Sequence, residues 1–116
     1  MKKLSFILFA LALGFLPLTV FAGEGPLPMP SGANSSAVMH NNAGIEEWGK
    51  GNYDSALEHF GEASKIEATG ETHFNEAISL DKLGRHREAS MHFRAAKKHA
   101  NGNPMILNSR ILKKHL

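Results

Sequence analysis

Seven histidines are the most conspicuous chemistry-bearing residues of this 116-residue chain: His40, His59, His73, His86, His92, His99 and His115. Imidazoles on one helix face share a metal ion when they stand three or four residues apart. None of these seven has that spacing. His92 and His99 lie two turns apart, and His40 and His73 could be neighbours only across stacked helices. The sequence therefore directs the histidines to structural or surface roles. It assigns no metal ligand and no cofactor, with a histidine-based metal or small-ligand carrier as an alternative. The absence of cysteine removes thiol nucleophiles, thiolate metal sites and disulfides. Gly-x-Ser-x-Gly, a phosphate-binding glycine loop and HExxH are also missing. Carboxylates such as Glu46 and Glu47, or Glu58 and Glu62, fall on helix surfaces beside lysines, where solvated ion pairing is the ordinary reading. The expectation is a protein that is not an enzyme.

Other polar residues recur. Asn42, Asn75 and Asn108 stand at 33-residue steps, as do Ile45, Ile78 and Ile111. An amide offers both a donor and an acceptor, so it can engage a peptide backbone without demanding a particular side chain. The competing role is the satisfaction of a local carbonyl.

Positioning such groups requires a folded frame, and the chain divides into three parts. Residues 1–22 carry Lys2 and Lys3, an apolar run from Leu4 to Leu16, then Pro17 and a Val20-Phe21-Ala22 ending. This is the layout of a secretory signal peptide cleaved before Gly23. The run to Ala22 is near the lower length for an uncleaved membrane anchor. Export to the periplasm is expected, with extracellular release as the alternative, and no membrane span after cleavage. Residues 23–36 alternate Pro26, Pro28 and Pro30 among Gly, Ser and Asn, which predicts a flexible, extended linker with too few apolar residues to pack.

From residue 37 the pattern is helical. Ser35 or Ser36 is the expected cap of a first helix running to about Lys50, followed by helices over Tyr53 to about Ala68, Glu71 to Leu83 and about His86 to Ala100, with a last one from Pro104. Gly51-Asn52, Thr69-Gly70, Gly84 and Asn101-Gly102 mark the breaks. The fold class is all-α, and the short turns imply antiparallel neighbours. Charge is divided unevenly. Residues 24–81 hold ten acids against Lys50 and Lys65, whereas residues 82–116 hold nine bases against Glu88. Such asymmetry implies a polarised surface, and it allows head-to-tail self-association. The basic tail suits an acidic protein surface or anionic headgroups, and export argues against nucleic acid.

Self-similarity at one spacing is the strongest signal. Gly51 and Gly84 are 33 residues apart, as are Ala56 and Ala89, Phe60 and Phe93, and Ala63 and Ala96. A period of this size marks stacked helical repeats. Small residues let helices approach closely, and the aromatic four positions later fills the adjoining space. The segment Gly51-Asn52-Tyr53 with Ala56, Leu57, Phe60 and Ala63 resembles the tetratricopeptide repeat family. The second copy has Gly84, Ala89, Phe93 and Ala96, with His86 in place of the aromatic, and Gly44 and Ala77 match the small residue of the preceding helix. His40 and His73 stand where Trp is common, and Ala43 and Glu76 where Leu is common.

The resemblance implies antiparallel helix-pair repeats: residues 37–69, residues 70–102 and a capping helix over 103–116. It also implies a concave groove that binds a partner protein or peptide. The groove residues it points to are Asn42, Asn75 and Asn108, with Asn41, Ile45 and Trp48 on the first helix and Phe74, Ile78 and Lys82 on the third. Trp48 is the sole tryptophan, either an exposed anchor or a core residue. The Lys and Asn pair with which some family members hold a C-terminal carboxylate is replaced here by Asn41 and Ile45. The functional expectation is an exported adaptor or scaffold. The alternative is a self-assembling module of the cell envelope.

Overall fold

A computed structural model describes residues 23–116, so the export signal read over residues 1–22 lies outside the described residues. Within them the chain is all-helical. The helices are α1 (Ser35–Gly49), α2 (Tyr53–Ile66), α3 (Gly70–Lys82), α4 (His86–Lys98) and the short α5 (Pro104–Leu107) and α6 (Arg110–Lys114). Helix α1 packs on α2 and α3 on α4, and α2 against α3 joins the two pairs. No helix among the described residues is long and apolar enough to cross a membrane.

The 33-residue period becomes a packing rule. Ala56, Phe60 and Ala63 on α2, and Ala89, Phe93 and Ala96 on α4, are all buried. Phe60 presses so closely on α1 that a Cβ at Gly44 would stand 2.5 Å from its Cε1. Only glycine permits that approach. Gly51 and Gly84 reverse the chain between paired helices with φ of +82° and +79°, a region glycine enters without penalty. Phe74 meets Phe93 edge to face at 5.8 Å, and around them Ile78, Leu80, Ala100, Ile106 and Leu112 form the larger core.

Helix ends are set locally. The cap of α1 is Asn34, one residue before the expected serines; its side chain accepts from the Ser36 and Ala37 amides. Thr69 and Thr72 cap α3 reciprocally. Asn52 occupies the N-cap position of α2, yet its amide donates instead to Glu47 at 2.9 Å.

Two expectations need correction. The capping helix over 103–116 is in fact two pieces. Asn108 closes the first, and Ser109 starts the second by accepting from the Leu112 amide, so the chain turns between them. Residues 23–36 are not an unpacked linker. Residues 23–34 have no helix, but Leu27 is 6% exposed and belongs to the main core. Composition counted the apolar residues and missed that one of them is placed over a ready-made apolar site.

Candidate functional site

The first helices of the repeats, α1 and α3, share a face on which residues 23–30 lie as a strand-like segment that belongs to no helix or sheet. Two asparagines hold it. Asn75 Oδ1 accepts from the Leu27 amide at 2.7 Å, and Asn75 Nδ2 donates to the Leu27 carbonyl at 2.8 Å. Asn41 Nδ2 donates to the same carbonyl at 2.9 Å, and Asn75 Nδ2 also donates to Asn41 Oδ1 at 2.9 Å. Both asparagines are fully buried. One side-chain amide thus pairs with both backbone groups of a single residue, as a neighbouring strand would.

The occupant suits this grip. Pro26 and Pro28 have no N–H, so Leu27 carries the only backbone donor in the Pro-Leu-Pro stretch, and Asn75 takes it. Proline also fixes φ and biases its predecessor to extended geometry, which lowers the entropy lost on docking. At the strand's start, the Glu24 carboxylate accepts from Ser109 Oγ and from the amides of Arg110 at 2.8 Å and Ile111 at 3.2 Å. A cleft beside Gly23 and Glu24 is lined by Trp48, Ile78 and Ile111 and by the charged Asp81, Lys82, Arg110 and Lys114.

The structure brings together part of the residue set expected from sequence. Asn41, Asn75, Phe74 and Ile78 lie in or under the groove, and Trp48 and Lys82 line its open end. Trp48 is half-buried, packs edge-on against Tyr53 at 4.8 Å and has Lys82 Nζ 5.9 Å from its ring. Ile45 is half-buried on α1. Asn42 and Asn108 are exposed, Asn108 at the break between α5 and α6, and neither side chain hydrogen-bonds residues 23–30 among the described residues. The contacting pair is Asn41 with Asn75, one residue off the 33-residue step.

Two further clusters were missed by sequence reasoning. In the first, His73 and Glu76 on α3 face His92 on α4. The His73 and His92 Nδ1 atoms are 3.2 Å apart, and Glu76 Oε2 stands 3.7 and 3.5 Å from them. Ser64 Oγ on α2 donates to the same carboxylate oxygen at 2.8 Å. Burial pushes the Glu76 carboxyl up to about 7, against the Ser64 bond that lowers it. Burial lowers His73, with His92 and His99 adding to the effect, and burial lowers His92 against an opposing pull from Glu88. In the second cluster, Asp81 Oδ1 meets His86 Nδ1 at 2.7 Å and His115 Nε2 at 2.9 Å, while His115 Nδ1 meets the Ile111 carbonyl at 2.9 Å. The available signal was a shared interval: His40 to His59 and His73 to His92 are both 19 residues.

Comparison of the chain with family models, with curated proteins and with solved structures gives no match.

Proposed function

We propose that the helical repeats form a peptide-binding module of the tetratricopeptide type, which takes an extended, proline-flanked segment by its backbone. Residues 23–30 are then the groove's resident occupant. The observation that carries this reading is the two-way pairing of the buried Asn75 amide with Leu27. The occupant also describes the partner: an acidic residue, two positions, then an aliphatic residue between prolines, the acid satisfying the amides of Arg110 and Ile111. The role is that of an adaptor with no chemistry of its own. Export fits it, since cleavage before Gly23 would make the occupant a free chain end, able to leave the groove and admit a partner.

A tethered occupant competes at an effective concentration on the order of 1 mM. A labelled peptide of residues 23–31 should therefore bind weakly to the parent chain. It should bind about 100-fold more tightly to a Pro26→Gly/Leu27→Ser/Pro28→Gly variant, taking an intrinsic affinity near 10 μM. Fluorescence anisotropy reads this directly. Equal affinities for the two chains, or binding that survives Asn41→Ala/Asn75→Ala in the variant background, would discard the groove.

A further inference from the structure

The histidine–carboxylate cluster between α3 and α4 lies outside the groove function and has the dimensions of a coordination site. A zinc ion bonded to nitrogen and oxygen at about 2.0–2.2 Å in tetrahedral geometry holds its ligand atoms roughly 3.3–3.6 Å apart. The three separations among His73 Nδ1, His92 Nδ1 and Glu76 Oε2 are 3.2, 3.5 and 3.7 Å. Two of these are longer than a hydrogen bond. All three atoms lie within 4.8 Å of one another, the His73–His92 contact is itself of hydrogen-bond length, and Glu76 Oε2 also accepts from Ser64.

We propose that His73, Glu76 and His92 bind a divalent first-row transition ion of the zinc type, with a fourth position open to water or another ligand. Two imidazoles and one carboxylate suit zinc or its neighbours, and not calcium or magnesium, which take oxygen ligands. The side chains of His73, Glu76 and His92 are only 22%, 12% and 32% exposed, so the ion would be shielded from most solvent. Ser64 fixes the Glu76 carboxylate from α2, the kind of outer contact that orients a metal ligand. Three helices thereby converge on the site. His99 stacks on His73 with ring centroids 6.1 Å apart and stays outside the triangle.

The molecule contains its own comparison. One repeat earlier the equivalent positions are His40, Ala43 and His59, so the histidine pair recurs but the carboxylate does not. There the rings stand 6.2 Å apart, and His59 Nδ1 is buried with no hydrogen-bond partner. The Asp81, His86 and His115 cluster is also different. Its 2.7 and 2.9 Å contacts share one carboxylate oxygen and are hydrogen-bond lengths, closer than two ligands of one ion stand.

Tag-free protein as isolated from cells, stripped of metal with a chelator, is titrated with Co²⁺ and then with Zn²⁺. One equivalent of cobalt should give the visible bands of a low-coordinate site, and zinc should displace it and raise the melting temperature. Glu76→Gln keeps the side-chain shape and the Ser64 partner. It and His92→Gln should each weaken zinc by at least tenfold and abolish the thermal shift, with helicity unchanged by circular dichroism. His40→Gln/His59→Gln and His86→Gln should leave the affinity as it was. The assignment is overturned if no cobalt bands form, if Glu76→Gln and His92→Gln bind as the parent does, or if binding is lost with Asp81→Asn instead.

Discussion

At the scale of single residues, Asn75 is the polar side chain that joins Leu27 to α3. Its amide satisfies the Leu27 N–H, the Leu27 carbonyl and the Asn41 amide oxygen at once, in a fully buried setting. Asn75→Ala leaves the Leu27 donor without a partner. Removing one member of a buried hydrogen-bonded pair costs about 1–3 kcal/mol. That loss should appear in urea denaturation of the parent chain and shrink to a fraction of it in a Pro26→Gly/Leu27→Ser/Pro28→Gly background, where the strand is already weakened. Such non-additivity identifies residues that act on one another. If Asn75→Ala costs the same in both backgrounds, the amide serves the helix rather than the strand. Sequence pointed to Asn41 and Asn75 among several asparagines but chose the 33-step series that includes Asn42 and Asn108. Periodicity reports equivalent faces. It does not report which residues of the two faces touch: Asn75 bonds Asn41, not Asn42. Glu76 was visible too, as a carboxylate in a place where an apolar residue is common. Its meaning depended on His92, sixteen residues away on another helix, and only the folded pair of helices joins them.

At the scale of elements, the sequence was most informative where small and large residues alternate. The pairing of α1 with α2 depends on Gly44 meeting Phe60, and that of α3 with α4 on Ala77 at the equivalent place. Gly44→Ala is therefore a test of whether packing or helix propensity dominates. Propensity alone favours alanine by about 1 kcal/mol. The new Cβ would sit 2.5 Å from Phe60 Cε1, and overpacking of this kind costs about 1–3 kcal/mol. The expected outcome is a lower urea midpoint for Gly44→Ala. In Gly44→Ala/Phe60→Leu, where the ring edge is gone, the loss should be smaller than the two single losses combined. A stabilised Gly44→Ala protein would mean that α1 and α2 separate more easily than their contact implies. The parts that sequence misjudged lie outside the two full helix pairs. The prolines of residues 23–30 read as a spacer because composition has no record of what an extended strand lies against, and the break at Asn108-Ser109 depends on a side-chain cap inside an otherwise helical pattern.

At the scale of the whole molecule, residues 23–30 tie the first described residues to the C-terminal helices. Helices of four and five residues do not persist alone in water, since nucleation outweighs so few hydrogen bonds. Here α5 and α6 stay in place through buried Ile106 and Leu112 and through the Glu24 carboxylate, which reaches across more than eighty residues to Ser109, Arg110 and Ile111. The same strand is anchored to α1 and α3 at Leu27. Docking of the strand and order of the C-terminal helices should consequently be one event, with the α2 core positions Ala56, Phe60 and Ala63 outside it. Hydrogen exchange separates the two. In Glu24→Ala the amides of Arg110 and Ile111 should exchange on the order of tenfold faster, the equivalent of one lost charge-assisted bond. Those of Ala56, Phe60 and Ala63 on α2 should not change. Acceleration confined to Arg110 and Ile111, with the Leu27 amide as protected as before, would show that the two anchors act separately. Acceleration at all three strand contacts would show that a partner displacing the strand also releases the C-terminal cap, so that occupancy of the groove is reported at the far end of the chain.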